Sequence, residues 1–591
     1  MKQFFKFMFA SLLGTIIAGL FLFFLFIGIV ASLATIMEPQ ETKVNDNSIL
    51  VMKLNYPILD RTTSNPFATM DPFSFESLNS LGLNDILKNI QKAAKDEKIK
   101  GIYLNLSSVD AGLATIDEIR NEILEFKKSG KFVLAYGETY SQGAYYLASS
   151  ADKIYLPPEG LIEFKGLSAE LMFFKGLIEK LDVDMQIIRH GKFKSAVEPF
   201  MLDKMSPENR EQITTMVNGM WNHVVGKISE SRGIAAENLN KIADTLMFRK
   251  AAEVVALGLA DSVFYYDQVV NELKSRTGKG IDDKLELVTI EKYTHARDVN
   301  KEKVDNQNRI ALIYGVGDIG SGKGDEATIG SETLAKAIHD ARIDKKVKAI
   351  VLRVNSPGGS MLASDVILRE ARLAADTKPF IVSFGDVAAS GGYYISCFAD
   401  TILANEATLT GSIGVFGLLP NAGATFKNKL GITFDYANTN QNSDFPSLVK
   451  PLSPFQLKMM QNEVDVSYGT FTKLVADGRG IPVEKVDEIG QGRVWTGTDG
   501  KKLGLVDEFG GLNKAIEIAA SAAKIDSYRI VEYPKFKDPF TAILDELSGQ
   551  DSEETFLRSK LGPLYESYRI LMTLQETRSV QARLPYNIVI R

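Results

Sequence analysis

The sequence predicts an α/β protein: two tandem βαβ copies of one domain behind a single N-terminal transmembrane helix. Three observations carry that expectation. A charge-free apolar run opens the chain, short apolar strands then alternate with helical periodicity, and the same string of segments returns later in the same order. A length of 591 residues exceeds what one hydrophobic core organises, which agrees with more than one domain. The composition is ordinary for a globular chain. A net charge of −6 gives no electrostatic reason to expect a nucleic-acid partner.

Residues 1–6 read as a short cytoplasmic N-terminus. From Phe7 to Met37 there is no charged residue, a run longer than the roughly 20 apolar residues that cross a bilayer. Lys2 and Lys6 precede it and Glu38 and Glu41 follow, so the positive-inside bias sends everything after Met37 across the membrane. Ser32-Leu-Ala34 is a weak cleavage site, but the apolar run far exceeds the roughly 7–15 residues of a cleaved leader. Residues 7–37 are therefore expected to be an uncleaved anchor, and residues 38–47 a polar linker.

Residues 48–280 are expected to form the first copy. Ile49 to Leu54, Gly101 to Leu106 and Phe132 to Tyr136 are apolar runs of strand type. Thr115-Ile-Asp-Glu118 reads as a capping box, with Ile116, Ile119, Ile123 and Phe126 on one helical face. This alternation implies a mainly parallel sheet with helices packed on it.

The second copy is expected over residues 309–535, after a charged connector at 281–308. Lys98-Ile-Lys-Gly-Ile-Tyr-Leu104 resembles Lys346-Val-Lys-Ala-Ile-Val-Leu352, a shift of 346 − 98 = 248. Gly143-Ala-Tyr-Tyr146 matches Gly391-Gly-Tyr-Tyr394 at the same shift, and Leu257-Gly-Leu-Ala-Asp261 matches Leu503-Gly-Leu-Val-Asp507 close to it. Several matches in order and at nearly constant separation indicate duplication. The extension at 536–591 has no counterpart in the first copy. Its composition fits either an added helix and edge strand or an assembly element.

The differences between the copies locate the chemistry. Val387-Ala-Ala-Ser390-Gly-Gly-Tyr-Tyr394 joins an apolar strand, Phe380 to Phe384, to a helix through small residues. Such a turn can expose the Ser390 hydroxyl as a nucleophile and offer the Gly391 N–H to an oxyanion. Read alone, small residues at such a strand-helix junction usually serve close packing. At the shift of 248, Gln142 stands where Ser390 does, and Ser108-Val-Asp-Ala111 stands where Ser356-Pro-Gly-Gly359 does. Gly358 and Gly359 follow the strand Ala349 to Val354, at the end where parallel sheets bind ligands, and their N–H groups can serve an oxyanion.

A serine nucleophile needs a base. The four histidines, His190, His223, His295 and His339, are scattered without metal-ligand spacing or a triad motif. The single cysteine, Cys397, excludes an intramolecular disulfide without excluding an extracytoplasmic location. Lys194 in the first copy has Phe193, Ala196 and Val197 as neighbours, and apolar surroundings depress an amine pKa towards neutrality. The corresponding stretch of the second copy, between Leu430 and Lys450, holds no lysine. One copy thus has the lysine and the other the serine, as expected for one site between them. Spacing alone does not separate Lys194 from Lys192.

At these segments the sequence resembles the signal peptide peptidase A (protease IV) family in its long, duplicated form. The resemblance rests on Ser356-Pro-Gly-Gly359, Asp386-Val-Ala-Ala-Ser390-Gly-Gly-Tyr-Tyr394, Leu409-Thr-Gly-Ser-Ile-Gly-Val-Phe-Gly417, Lys194-Ser-Ala-Val-Glu-Pro-Phe200 and Gly492-Arg-Val-Trp-Thr-Gly497. It implies the Clp protease and crotonase fold, with Ser390 as nucleophile and Lys194, rather than Lys192, as general base. Ser412 is implied as the hydroxyl that positions the amine, and Gly391 with Gly358 or Gly359 as the oxyanion hole. It further implies a membrane-anchored serine endopeptidase that needs no cofactor and degrades signal peptides and other hydrophobic peptide segments. A homotetramer is implied, single-pass in the bacterial inner membrane with its catalytic domains on the periplasmic side. A crotonase-type enzyme acting on acyl-coenzyme A and a non-catalytic membrane scaffold are the rival expectations.

Overall fold

The computed structural model describes residues 2–37, 41–63, 80–246, 250–297, 307–535 and 580–583. Apolar runs buried on both faces form parallel strands, as the alternation predicts. In the first copy Ser48–Met52, Ile99–Asn105, Phe132–Tyr136 and Lys153–Leu156 lie side by side, all parallel. Ser262–Val263 closes one edge of this sheet and Leu287–Thr289 the other. In the second copy Arg309–Val316, Val347–Ser356 and Phe380–Ala389 form the centre, with Arg529–Tyr533 at the edge. Leu409–Gly411 continues beyond the serine strand, followed by the antiparallel Val494–Thr496.

Leu287–Thr289 and the helix Ile290–Thr294 fall inside the stretch expected as a connector at 281–308. That expectation is corrected. Leu287–Thr289 pairs with Ser48–Met52 as Arg529–Tyr533 pairs with Arg309–Val316, so the charged residues around it conceal the first sheet's last strand.

The duplication is written in hydrogen bonds as well as in sequence. Tyr145 Oη donates to Leu259 O and Tyr393 Oη to Leu505 O, each at 3.0 Å. Tyr146 Oη reaches Asp117 as Tyr394 Oη reaches Asp365. The Arg232–Asp261 ion pair has its counterpart in Arg479–Asp507.

One hydrophobic cluster spans the two copies. Leu312, Val351 and Ile381 of the second sheet pack in the same cluster as Ile119, Ile123 and Phe126 of the first copy. The latter three lie on the helix Leu113–Lys127, which begins before the expected capping box: its N-cap is Gly112, without a side-chain cap. Thr115 instead donates its N–H (3.0 Å) and its hydroxyl (2.6 Å) to the Asp386 carboxylate of the second copy. An anion at a helix N-terminus satisfies free N–H groups and meets the positive end of the dipole. Glu118 also turns across the boundary, accepting from Leu512 N–H at 2.7 Å.

A third sheet draws strands from both copies and from the C-terminal extension. Its order is Thr328–Gly330, Asp318–Gly320, Gly358–Ser360, Gln581–Arg583, Phe416–Asn421 and Asp184–Arg189. Asp184–Arg189 of the first copy runs antiparallel to Phe416–Asn421 of the second along its whole length. Outside Val580–Arg583, the extension at 536–591 lies outside the described residues.

The N-terminal segment is one helix, Lys2–Met37, and Phe7, Leu13, Ile17 and Phe21 are exposed around it. Among the described residues no helix is long and apolar enough to cross a membrane. The side chains of this helix are described without a break only from Lys6 to Leu22, fewer than the roughly 20 a span requires. Part of the expected anchor therefore lies outside the described side chains.

Arg353, on the central strand of the second sheet, is fully buried. Its Nε lies 2.6 Å from Asp60 and its Nη2 2.7 Å from Glu118, both in the first copy. Burial pushes the Glu118 carboxyl above its ordinary range, and Arg353 offsets part of that shift. Replacing Arg353 by Ala would leave two buried acids without their cation. Unfolding free energy should fall by about 3–5 kcal/mol, measured by urea denaturation. Arg353→Lys should recover only part of it, because one ammonium cannot reproduce the fork.

Candidate active site

Ser390 ends the strand Phe380–Ala389 and caps the short helix Gly391–Tyr394. Its φ of 55° and ψ of −113° lie where non-glycine residues are strained. The conformation is held from both sides: Ser390 N–H donates to Gly411 O and Ser390 O accepts from Tyr394 N–H, each at 2.8 Å. Close packing presents the Ser390 hydroxyl to Lys194 Nζ, and that hydroxyl is buried rather than exposed. A Cβ on Gly391 would stand 2.8 Å from Ser364 Oγ, and one on Gly392 2.8 Å from Ser356 O.

Lys194 follows the strand Asp184–Arg189 and enters the second copy. Its Nζ lies 2.9 Å from Ser390 Oγ, 3.0 Å from Ser412 Oγ and 3.2 Å from Ser412 O. Ser412, also at positive φ (49°), donates its own hydroxyl to Gly492 O at 3.3 Å, which leaves its lone pairs free to accept from the amine. The lysine stem runs between two glycines of the second copy. A Cβ on Gly492 would stand 2.6 Å from Lys194 Cβ, and one on Gly414 3.3 Å from Lys194 Cδ. Lys192, indistinguishable by spacing, is exposed, with its Nζ 5.4 Å from the Phe193 ring centroid.

Burial alone shifts the amine. Lys194 is fully enclosed, and loss of hydration holds its pKa well below the ordinary 10.5. The neutral amine can accept a proton from Ser390 Oγ, which is also fully buried. His190 instead pairs with Asp465 at 2.8 Å, and His223 with Asp117 at 2.8 Å.

The glycine pair at 358–359 lies beside the serine turn. A Cβ on Gly358 would meet Gly391 N at 2.6 Å. Gly358 N–H donates to Ser356 Oγ at 3.1 Å, and that hydroxyl donates to Gly317 O at 2.6 Å. Gly358 thus has an internal partner. Gly359 is the central residue of its three-residue strand, between Asp318–Gly320 and Gln581–Arg583.

Sequence reasoning missed the residues that hold the lysine turn. Buried Gln212 accepts from Val494 N–H at 2.8 Å and donates to Ser195 Oγ at 3.1 Å. Glu198 accepts from Ser206 Oγ at 2.6 Å and from Asn209 Nδ2 at 2.8 Å. Glu198 stands in the quoted lysine motif, whereas Gln212 carries no local signal. In the first copy Gln142 fills the place of the serine, accepting from Lys165 and Gly166 N–H at 3.0 and 3.1 Å.

The peptidase family S49 profile matches twice, over residues 125–279 and 372–526. The chain belongs to peptidase family S49. Protease 4 of Haemophilus influenzae is 39% identical over 454 residues, 74% of this chain and 72% of that protein. The chloroplastic serine protease SPPA of Arabidopsis thaliana is 33% identical over 547 residues, 92% of this chain and 78% of its own. A ClpP1 mutant from Listeria monocytogenes aligns over 35% of this chain and 94% of its own, at 14% identity and a TM-score of 0.24. The sheet topology above, not that score, carries the fold. This S49 member is a serine-type peptidase acting on peptides, which leaves the acyl-coenzyme A and scaffold readings without support.

The depressed Lys194 pKa has a signed consequence for stability. Between the folded pKa and the unfolded value of about 10.4, the unfolded chain binds one more proton, so stability rises with pH. Below the folded pKa both states are protonated and this contribution is flat. Relative to Lys194→Met, the wild-type chain should gain unfolding free energy as pH rises through that window. Urea denaturation of both proteins at several pH values measures it.

Proposed function

We propose that the chain is a membrane-anchored serine endopeptidase whose dyad, Ser390 and Lys194, is split between its two copies. The observation that carries this reading is the 2.9 Å contact between Lys194 Nζ and Ser390 Oγ, two side chains fully buried at the boundary between the copies. Neutral Lys194 takes the hydroxyl proton as Ser390 Oγ attacks the peptide carbonyl, then passes it to the leaving amine. Water, deprotonated by the same amine, hydrolyses the acyl ester. Ser412 aims the amine. Gly391 and Gly359 N–H groups stabilise the oxyanion, since Gly358 N–H already has Ser356 Oγ.

Signal peptides and other hydrophobic peptide segments are the proposed substrates, in line with the motifs shared with signal peptide peptidases. The N-terminal helix supports the setting. Apolar side chains exposed around it are costly in water and favourable in hydrocarbon. Two lysines before the apolar run and acids after it favour a single pass in a bacterial inner membrane with both copies on the periplasmic side. A homotetramer is part of the same proposal.

Ser390→Ala and Lys194→Ala should each lower kcat for peptide hydrolysis by about 10⁴-fold or more, and Ser412→Ala by less. Activity of the wild type should rise with pH as the amine deprotonates. Wild-type rates in either dyad variant would end the proposal. Protease protection in intact cells and spheroplasts reads the orientation, and digestion only after lysis would refute the periplasmic placement.

A further inference from the structure

One side chain of the segment Gly492-Arg-Val-Trp-Thr-Gly497 lies outside the dyad yet between its two halves: Arg493. Its guanidinium lies over two aromatic rings, 4.6 Å from the Phe193 centroid and 4.5 Å from the Trp495 centroid. Phe193 belongs to the first copy and directly precedes Lys194, whereas Trp495 belongs to the second. Arg493 Nη1 also pairs with Glu211 of the first copy at 2.9 Å. A planar cation suits such a place, because it can rest on aromatic faces while its fork donates to a carboxylate.

Each ring leads to one member of the dyad. Phe193 N–H donates to Gln491 O at 3.1 Å and Phe193 O accepts from Ser195 N–H at 2.8 Å, which brackets Lys194. On the other side, a Cβ on Gly411 would stand 2.9 Å from Trp495 Cδ1, and Gly411 O accepts from Ser390 N–H. The main chain of Arg493 adds a third tie, since its carbonyl accepts from Ser412 N–H at 2.7 Å. Phe193 is buried and Arg493 keeps 17% of its side chain exposed, so the guanidinium is the partner that meets solvent.

We infer that Arg493 is a positioning residue for peptide hydrolysis: it locks the segment before Lys194 to the strand end that holds Ser390, and keeps water from between them. This rests on the dyad reading above. Its effect passes through Phe193 and Trp495 rather than through the reacting atoms. Burial is the cause of the Lys194 shift, not the charges on the neighbouring segments, Lys192, Glu198, Glu211 and Arg493. Loosening the contact would hydrate the amine and raise its pKa towards the ordinary value. It would also slacken the 2.9 Å approach to Ser390 Oγ, and small misplacements of reacting groups are costly.

Arg493→Ala, Arg493→Lys and Phe193→Leu in the full chain test it. The readouts are kcat on a fluorogenic apolar peptide and the pH dependence of kcat/KM, which reports the base of the free enzyme. Arg493→Ala should lower kcat about tenfold and move the rising limb of the profile about half a pH unit or more towards alkali. Arg493→Lys keeps the charge without the plane and should recover only part of either loss. Phe193→Leu removes the same contact from the other copy, so adding it to Arg493→Ala should cost less than the two losses combined. An unmoved limb in Arg493→Ala, or wild-type behaviour of Arg493→Lys, would overturn the inference. If Arg493→Ala does not fold, Arg493→Lys decides. A wild-type profile that stays flat with pH, or a Ser390 that no fluorophosphonate labels, would instead take down the dyad and this inference with it.

Discussion

Everything in the active centre depends on one backbone contact, the antiparallel pairing of Asp184–Arg189 with Phe416–Asn421. Lys194 and Ser390 stand 196 positions apart in the chain, and no local motif could bring them together. The ladder crosses from one copy to the other and delivers the residues after Arg189 to the loop after Leu409–Gly411. Main-chain hydrogen bonds fix that register, so the placement of Lys194 does not hang on a few surface side chains. The same approach strips the amine of water. Gly414 and Gly492 from the second copy close on its stem, and its chain neighbours Phe193 and Val197 are buried with it. Position and pKa are two results of a single docking.

The parts of this arrangement that were legible in the sequence are those that leave a trace in one copy and none in the other. Ser390 against Gln142 was such a trace, and so was a lysine-bearing segment against a lysine-free one. Parallel strands were legible because burial on both faces demands continuous apolar runs. What stayed hidden is contact that skips between copies. Thr115 and Glu118 have the spacing of a capping box, yet their side chains turn to Asp386, Leu512 and Arg353, partners no local window contains. Leu287–Thr289 was hidden by its charged surroundings. Lys192 and Lys194 could be ranked only by resemblance until burial separated them.

The boundary between the copies works as a preorganised scaffold rather than a hinge. Asp386, four positions before Ser390, is held by the helix Leu113–Lys127, and Arg353 on the neighbouring strand is clamped by Asp60 and Glu118. The positive φ at Ser390 and at Ser412 is a conformation such a frame can impose. Sites that hold their groups to within fractions of an ångström need this second layer of support. Here each copy supplies it to the other.

The turn at Gln142 sets a stoichiometry. Its amide is spent on the backbone of Lys165 and Gly166, so the pseudo-symmetric place in the first copy offers neither a reactive hydroxyl nor an empty cradle for one. Doubling the fold has not doubled the serine turn. On the proposed dyad the chain carries a single equivalent of nucleophile, and its two halves are complementary parts rather than redundant ones. Under that proposal neither half alone could inherit the chemistry: a fragment with Ser390 would lack Lys194, and a fragment with Lys194 would have no serine to deprotonate.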